Sequence, residues 1–344
     1  MKTPESHTRR LAETIKGSLN QRPKAQRMIK SIKPDTPLDQ TQRADRAVKM
    51  ILHGQFEILL ANLDGARTHQ DPECLHDLRV ATRRIRSLLT QIKGVFPDDL
   101  VESYRSRFAW VQQITNPLRD LDVYLRDFDA YQQRLPELLQ RDLEPLRVYL
   151  LAIQEREQTR LVAALDSDPF TRLIQDCQTF VAAPLPDVSR TTNGMRPIKD
   201  LADERIWHLV RRVRRTGRAI RADSPPEELH ELRKSSKKLR YLMEFFQGLY
   251  PDHDISRLIR RLKILLDHLG GCQDLAVQVS HLNELARQMR DAGQARTETL
   301  LAMGALIGHL LERQQCMRDD FAAVFDSYLD EDQQSLFGTL FGPR

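Results

Sequence analysis

Two stretches of the chain carry groups spaced to grip an anion. His76, Arg79, Arg83 and Arg86 recur three to four residues apart in L-H-D-L-R-V-A-T-R-R-I-R-S-L-L, and His230, Arg233, Lys237 and Arg240 do so in L-H-E-L-R-K-S-S-K-K-L-R-Y-L-M. At about 100° per residue, each set falls in a band of about 80° on one helix face. In the first stretch Leu78, Ile85, Leu88, Leu89 and Ile92 make a separate apolar face that must be core. Arg84 and Lys238 point elsewhere and are expected to be solvated. Like charges three or four residues apart repel by a few tenths of a kcal/mol per pair. A bound anion removes that cost, and the planar arginine fork suits the paired oxygens of a phosphate. The plainer reading is that carboxylates on neighbouring helices neutralise each stripe, but two matched stripes in one chain weigh against it. The histidines read either as structural groups or as contacts whose protonated form a polyanion would favour.

The stripes belong to a longer repeat. The segment from Pro72 to Leu89 returns at Pro226 to Met243, offset by 154 residues, and the register holds through Gly94/Gly248, Pro97/Pro251, Asp98/Asp252, Asp120/Asp274, Leu121/Leu275 and Val123/Val277. Such self-similarity indicates a duplicated unit. Asp71-Pro72-Glu73 and Ser224-Pro225-Pro226-Glu227 offer caps and acidic first turns, while Gly94 and Gly248 suit left-handed stops before Pro97 and Pro251. Further helices of about 15–28 residues flank each stripe, giving an all-α fold of two internally duplicated antiparallel bundles. The predicted boundaries are a basic N-terminal arm at 1–41, a first repeat at 42–182, a Pro/Gly/Ser/Thr-rich linker at 183–198, a second repeat at 199–330 and a tail at 331–344.

Composition agrees with this reading. The 344 residues include only 14 Gly and 17 Pro, which favours helix over loop-rich β structure. Net charge is +5, yet residues 1–40 alone hold nine Lys/Arg against four Asp/Glu, leaving the rest balanced. A polyanion site in the body must therefore come from segregating the two signs onto different faces. No apolar run approaches the length of a membrane span and no secretion signal is evident, so a cytoplasmic location is expected. Cys74, Cys177, Cys272 and Cys316 are widely spaced and read as reduced thiols. No P-loop or metal-ligand spacing occurs, and no metal or cofactor is expected. The basic arm could add reach toward the same ligand, contact a surface, or be a plain extension.

The motif L-H-D-L-R-V-A-T-R-R-I-R, with R-D-L-D-V at Arg119 to Val123 and L-H-E-L-R-K-S-S-K-K-L-R-Y at Leu229 to Tyr241, resembles the CHAD family, the conserved histidine α-helical domain. The resemblance covers about residues 42–330. It implies two helical bundles about a pseudo-twofold and binding of inorganic polyphosphate on a basic channel or surface, with location at polyphosphate granules in some members. Carried over by position, it implies that His76, Arg79, Arg83, Arg86, His230, Arg233, Lys237 and Arg240 bind the polymer. Arg107, Arg119, Arg212, Arg215, Lys234 and Arg261 are secondary candidates. The chain departs from the motif at Gln273 to Val277, Q-D-L-A-V, so Arg119 has no arginine twin.

The expected function is thus non-catalytic binding of inorganic polyphosphate by both stripes in one groove. Single-stranded nucleic acid is a second possibility, weakened by the scarcity of aromatic stacking partners near the stripes. A phosphoanhydride-processing enzyme, a histidine phosphoacceptor and a metal chelator are further alternatives. The enzyme is disfavoured because E-R-E-Q-T at Glu155 to Thr159 lacks the lysine of an E-x-E-x-K strand and sits in a predicted helix. The helix from Leu201 to Arg221 carries seven arginines where the first copy has Lys49 and Arg67, and Arg212 and Arg215 could extend the phosphate track.

Overall fold

The structure is a computed structural model that describes residues 38–343. Helices make up the described chain, in the order α1 (Ala44–Ala61), α2 (Leu63–Thr68), α3 (Pro72–Gln91), α4 (Asp98–Gln133), α5 (Glu137–Gln140), α6 (Glu144–Leu165), α7 (Asp168–Ala182), α8 (Ile198–Ala219), α9 (Pro226–Phe246), α10 (Asp252–Asp291), α11 (Thr297–Asp319), α12 (Phe321–Tyr328) and α13 (Glu331–Phe341). No β-strand occurs among the described residues. The expected all-α class holds. The arm lies outside the described residues up to position 37.

The helix starts keep the sequence register. Ala44 and Ile198, Pro72 and Pro226, and Asp98 and Asp252 each begin a helix 154 residues apart. The punctuation is less symmetrical than expected. Asp71 caps α3, its Oδ1 accepting from the Glu73 amide at 2.9 Å, with Pro72 in the first turn. Ser224 does not cap α9. Its hydroxyl donates instead to Glu228 Oε2 at 2.6 Å and accepts from the Arg221 amide. Gly94 takes the left-handed conformation at φ +70°, where a Cβ would also collide with the Thr192 side chain. Gly248 does not; it lies in a short 3₁₀ turn, Gln247–Leu249.

The flanking helices exceed the expected lengths, α4 at 36 residues and α10 at 40. Both run through two separate cores. The larger core gathers α1, α3, α7, α8, α9, α12 and α13 with the N-terminal halves of α4 and α10. The smaller one joins the C-terminal halves of α4 and α10 to the start of α6 and to α11, around Phe128, Leu150, Leu282 and Leu306. Each core therefore takes residues from both halves of the chain. Burying each such leucine contributes about 2 kcal/mol, so the long helices bind the two ends of the molecule together.

Two sequence segments are more ordered than their composition suggests. The stretch after α7 is non-helical, as a linker should be, but it is tied to the α3–α4 turn. The Asn193 amide donates to Gly94 O at 2.7 Å, Asn193 Nδ2 to Lys93 O at 2.8 Å, and Thr191 Oγ1 to Val95 O at 3.0 Å. The expected tail forms α13, capped by Asp330 Oδ1 on the Gln333 amide. Phe337 and Phe341 of α13 are buried, with Phe341 edge-on to Tyr250 at 4.8 Å.

Candidate functional site

The stripe helices α3 and α9 pack against each other, which brings the two basic faces together. Arg84 fixes the crossing. Its guanidinium meets Glu244 of α9 at 3.0 Å and lies over the Phe245 ring at 5.0 Å. It is only 24% exposed, so the expectation of a solvated Arg84 is corrected. On a wheel its side of α3 faces the Tyr241–Phe245 side of α9.

Each stripe then meets the long helix that follows it. In the first half Arg79 is 8% exposed, and its Nη1 donates to Gln112 O at 3.1 Å and to Thr115 Oγ1 at 2.8 Å on α4. Arg86 donates to Gln112 Oε1. His76 sits beside Arg119, whose guanidinium donates to Pro72 O at 3.3 Å and approaches Glu73 at 3.7 Å. In the second half Arg233 pairs with Asp274 of α10 at 3.1 Å, His230 Nδ1 lies 3.0 Å from Gln273 Oε1, and Arg240 approaches Glu244 at 3.4 Å. The two stripes thus meet their neighbours differently: Arg79 and Arg86 bond α4, whereas Arg233 reaches Asp274 of α10 and Arg240 approaches Glu244 on its own helix.

Residues 154 apart also meet one another. Arg83 and Lys237 are close enough for Arg83 to depress the Lys237 pKa, and Asp274 is close enough to Asp120 to raise that carboxyl. Further along, Tyr124 Oη donates to Gln278 O at 2.8 Å. Positions in register thus lie near one another at three places, with a direct hydrogen bond at Tyr124 and Gln278.

Electrostatics single out Arg83 and Lys237, where the two stripes approach each other. Among the described residues, neither Arg83 nor Lys237 has a carboxylate within ion-pair distance. Burial, followed by Arg233 and Arg83, pushes the Lys237 ammonium down to about 8. Burial and Arg83 push Arg79 down to about 10, which leaves it charged at neutral pH. His76 is lowered by burial and then by Arg119, so its neutral form dominates at pH 7 in the free protein. These directions share burial as their first cause and neighbouring cations as their second. Such a cluster favours an anion with several charges.

The secondary candidates divide. Arg119 lies beside His76 and Glu73. Arg107 is held by Asp176 of α7 at 2.7 Å, and Arg261 by Asp330 at the start of α13, so both join helices of the large core. Lys234 pairs with Glu231 at 2.6 Å, and Arg212 and Arg215 are exposed on α8. The four cysteines are unpaired, as expected; Cys74, Cys177 and Cys272 are buried and Cys316 is exposed. The motif aspartates Asp120 and Asp122 point apart, as their spacing requires. Buried Asp122 accepts from Gln154 Nε2 at 2.8 Å and meets His69 Nε2 at 2.8 Å. His69, in a left-handed turn at φ 50°, was not legible as its partner, since nothing local links positions 69 and 122.

Comparison with known proteins places this geometry. The CHAD domain family matches residues 50–283. Uncharacterized proteins from two strains of Mycobacterium tuberculosis are each 29% identical to this chain, covering 76% of it; the chain spans about half (48%) of their length. The crystal structure of the CHAD domain from the plant Ricinus communis is similar over 91% of this chain and 98% of that one, with a TM-score of 0.70 and 24% identity. PptA from Streptomyces chartreusis is similar over 83% of this chain and all of that one, with a TM-score of 0.65 and 18% identity.

Proposed function

The chain belongs to the CHAD domain family, and we propose that it binds inorganic polyphosphate, without catalysis, in the groove between α3 and α9. The observation that carries this reading is that Arg83 and Lys237, stripe positions from different halves, lie close enough to influence each other while neither has an ion pair among the described residues. A linear phosphate chain supplies closely spaced charge and acceptor oxygens along its length, and Arg79, Arg86, Arg233 and Arg240 continue the cationic lining on either side. Arg79 and Arg233 act partly as positioning groups because their guanidiniums are already engaged. The aromatic groups nearest the crossing, Tyr241 and Phe245, are buried beneath Arg84 and offer no stacking platform for a base. No described helix is long and apolar enough to cross a membrane; the proposed setting is the cytoplasm, at polyphosphate granules.

The test is a titration with long-chain polyphosphate at several salt concentrations, with single-stranded DNA as competitor. Log affinity should fall linearly with log salt, and DNA should displace the polymer poorly. A flat salt response, a preference for DNA, or turnover of the polymer contradicts the proposal.

A further inference from the structure

The stripe accounts for one side of α9, yet cations continue round the helix. Lys234 and Lys238 lie about 100° from Arg233 and Lys237 on the wheel, and exposed His230 falls about 40° from Lys234. Lys238 is not the isolated solvated lysine its sequence position suggests. It is partly buried, and Arg212 of α8 and Lys234 are near enough to lower its pKa along with that burial. Arg215 is exposed one turn further along α8. The acid among them is Glu231, which bonds Lys234 at 2.6 Å and also feels Arg212. Arg212, Arg215 and Lys238 have no ion pair among the described residues. Their exposed partners therefore run from the groove wall, around the first half of α9, to the outer face of α8.

The first half has no such path. The positions 154 residues earlier hold Ile58 for Arg212, Ala61 for Arg215 and Val80 for Lys234. Arg84 does stand opposite Lys238 in register, but it is committed to Glu244. Two other exposed arginines of α8 turn away from this path. Arg218 leans to α13, donating to Gln334 at 3.3 Å, and Arg211 lines a cleft with Trp207 and Phe341.

The geometry points to a one-sided exit track, in which Lys234, Lys238, Arg212 and Arg215 take the part of a long phosphate chain that overhangs the groove on the second-half side. This rests on the groove reading and adds selectivity for chain length to it. Short chains fill the groove alone; long chains gain the extra contacts.

The experiment compares the full chain with an Arg212→Ala/Arg215→Ala/Lys238→Ala variant, using tripolyphosphate and long-chain polyphosphate as probes. Affinity for the long polymer should fall about tenfold and its salt slope by about two to three, the number expected for three lost contacts. Tripolyphosphate binding should stay within about twofold. Because Lys238 is partly buried, Arg212→Gln/Arg215→Gln is the second variant, with the same selective loss at smaller size and an unchanged thermal midpoint. Equal losses for both probes, or none for the long one, overturn the track. If Arg83→Ala/Lys237→Ala still abolishes binding in that case, the groove reading survives alone. A wild-type protein that binds neither probe overturns both, and a track that retains DNA better than polyphosphate assigns it to nucleic acid instead.

Discussion

The stripes on α3 and α9 occupy the same register, but at their first two positions the α3 residues, His76 and Arg79, are more buried than His230 and Arg233 of α9. Arg79 is locked by Gln112 O and Thr115 on α4. At the corresponding places α10 carries Leu266 and Leu269, which offer no side-chain acceptor, so Arg233 turns to Asp274, itself 64% exposed. His76 is partly buried beside Arg119, whereas His230 is exposed and meets Gln273, the residue standing where Arg119's twin would be. Arg233 packs against Gly270, whose counterpart in α4 is Asn116, next to Pro117. Positions in register therefore need not share a role: under the proposed function, Arg79 shapes the site while Arg233 and His230 are left for a ligand to recruit.

Exchanging the arginines for alanine should expose the difference most strongly. Arg79→Ala leaves buried acceptors on α4 without their donor and should cost about 2 kcal/mol of stability. Arg233→Ala breaks an ion pair with an exposed carboxylate and should cost about 0.5 kcal/mol. Urea unfolding of the two variants measures this directly, and equal losses would erase the distinction drawn here.

The pH dependence sharpens the comparison. Lys237 titrates at about 8 in the free protein, lowered by burial, Arg233 and Arg83. A bound phosphate raises that pKa, so the bound state holds more protons above pH 8. Affinity should be level below about pH 8 and then fall, by up to about tenfold per pH unit. Lys237→Arg should remove this fall. For folding the sign is opposite: the unfolded chain binds the extra proton between about 8 and 10.4, so this group's unfavourable contribution is relieved as pH rises through that window. Calorimetric titration from pH 7 to 9.5 checks the binding half, and a fall that persists in Lys237→Arg would assign it to another group.

The smallest expected effect separates the histidines. Burial and Arg119 hold the His76 pKa down, and a phosphate beside it raises it, so affinity should increase a few-fold as falling pH protonates the bound imidazole. His76→Gln should flatten that rise more than His230→Gln, because His230 is exposed and Gln273 brings no charge. Should His76→Gln unfold the protein, the histidine is structural and the contact role is lost.

Much of this was legible in the sequence because it depends on local spacing. The 154-residue offset, the helix starts at Pro72 and Pro226 and the alignment of each stripe follow from periodicity and punctuation alone. The caps illustrate the limit: Asp71 acts as its type suggests, whereas Ser224, followed by two prolines, bonds Glu228 instead. What failed to show were contacts between distant segments. The Arg84–Glu244 bridge spans 160 residues and decides which faces meet, and Asp122 reaches back to His69. Nor does local patterning indicate that α4 and α10 run through two cores, since their apolar positions look the same whichever core they enter.

The central claim is that the two stripes hold one ligand. The direct measurement is calorimetric stoichiometry and affinity for polyphosphate in Arg83→Ala, Lys237→Ala and the double variant. One binding site per protein is predicted, with each single variant losing about tenfold and the double variant departing from the product of the two, as neighbours on a shared ligand do. Two independent sites per protein with multiplicative losses would contradict the shared groove.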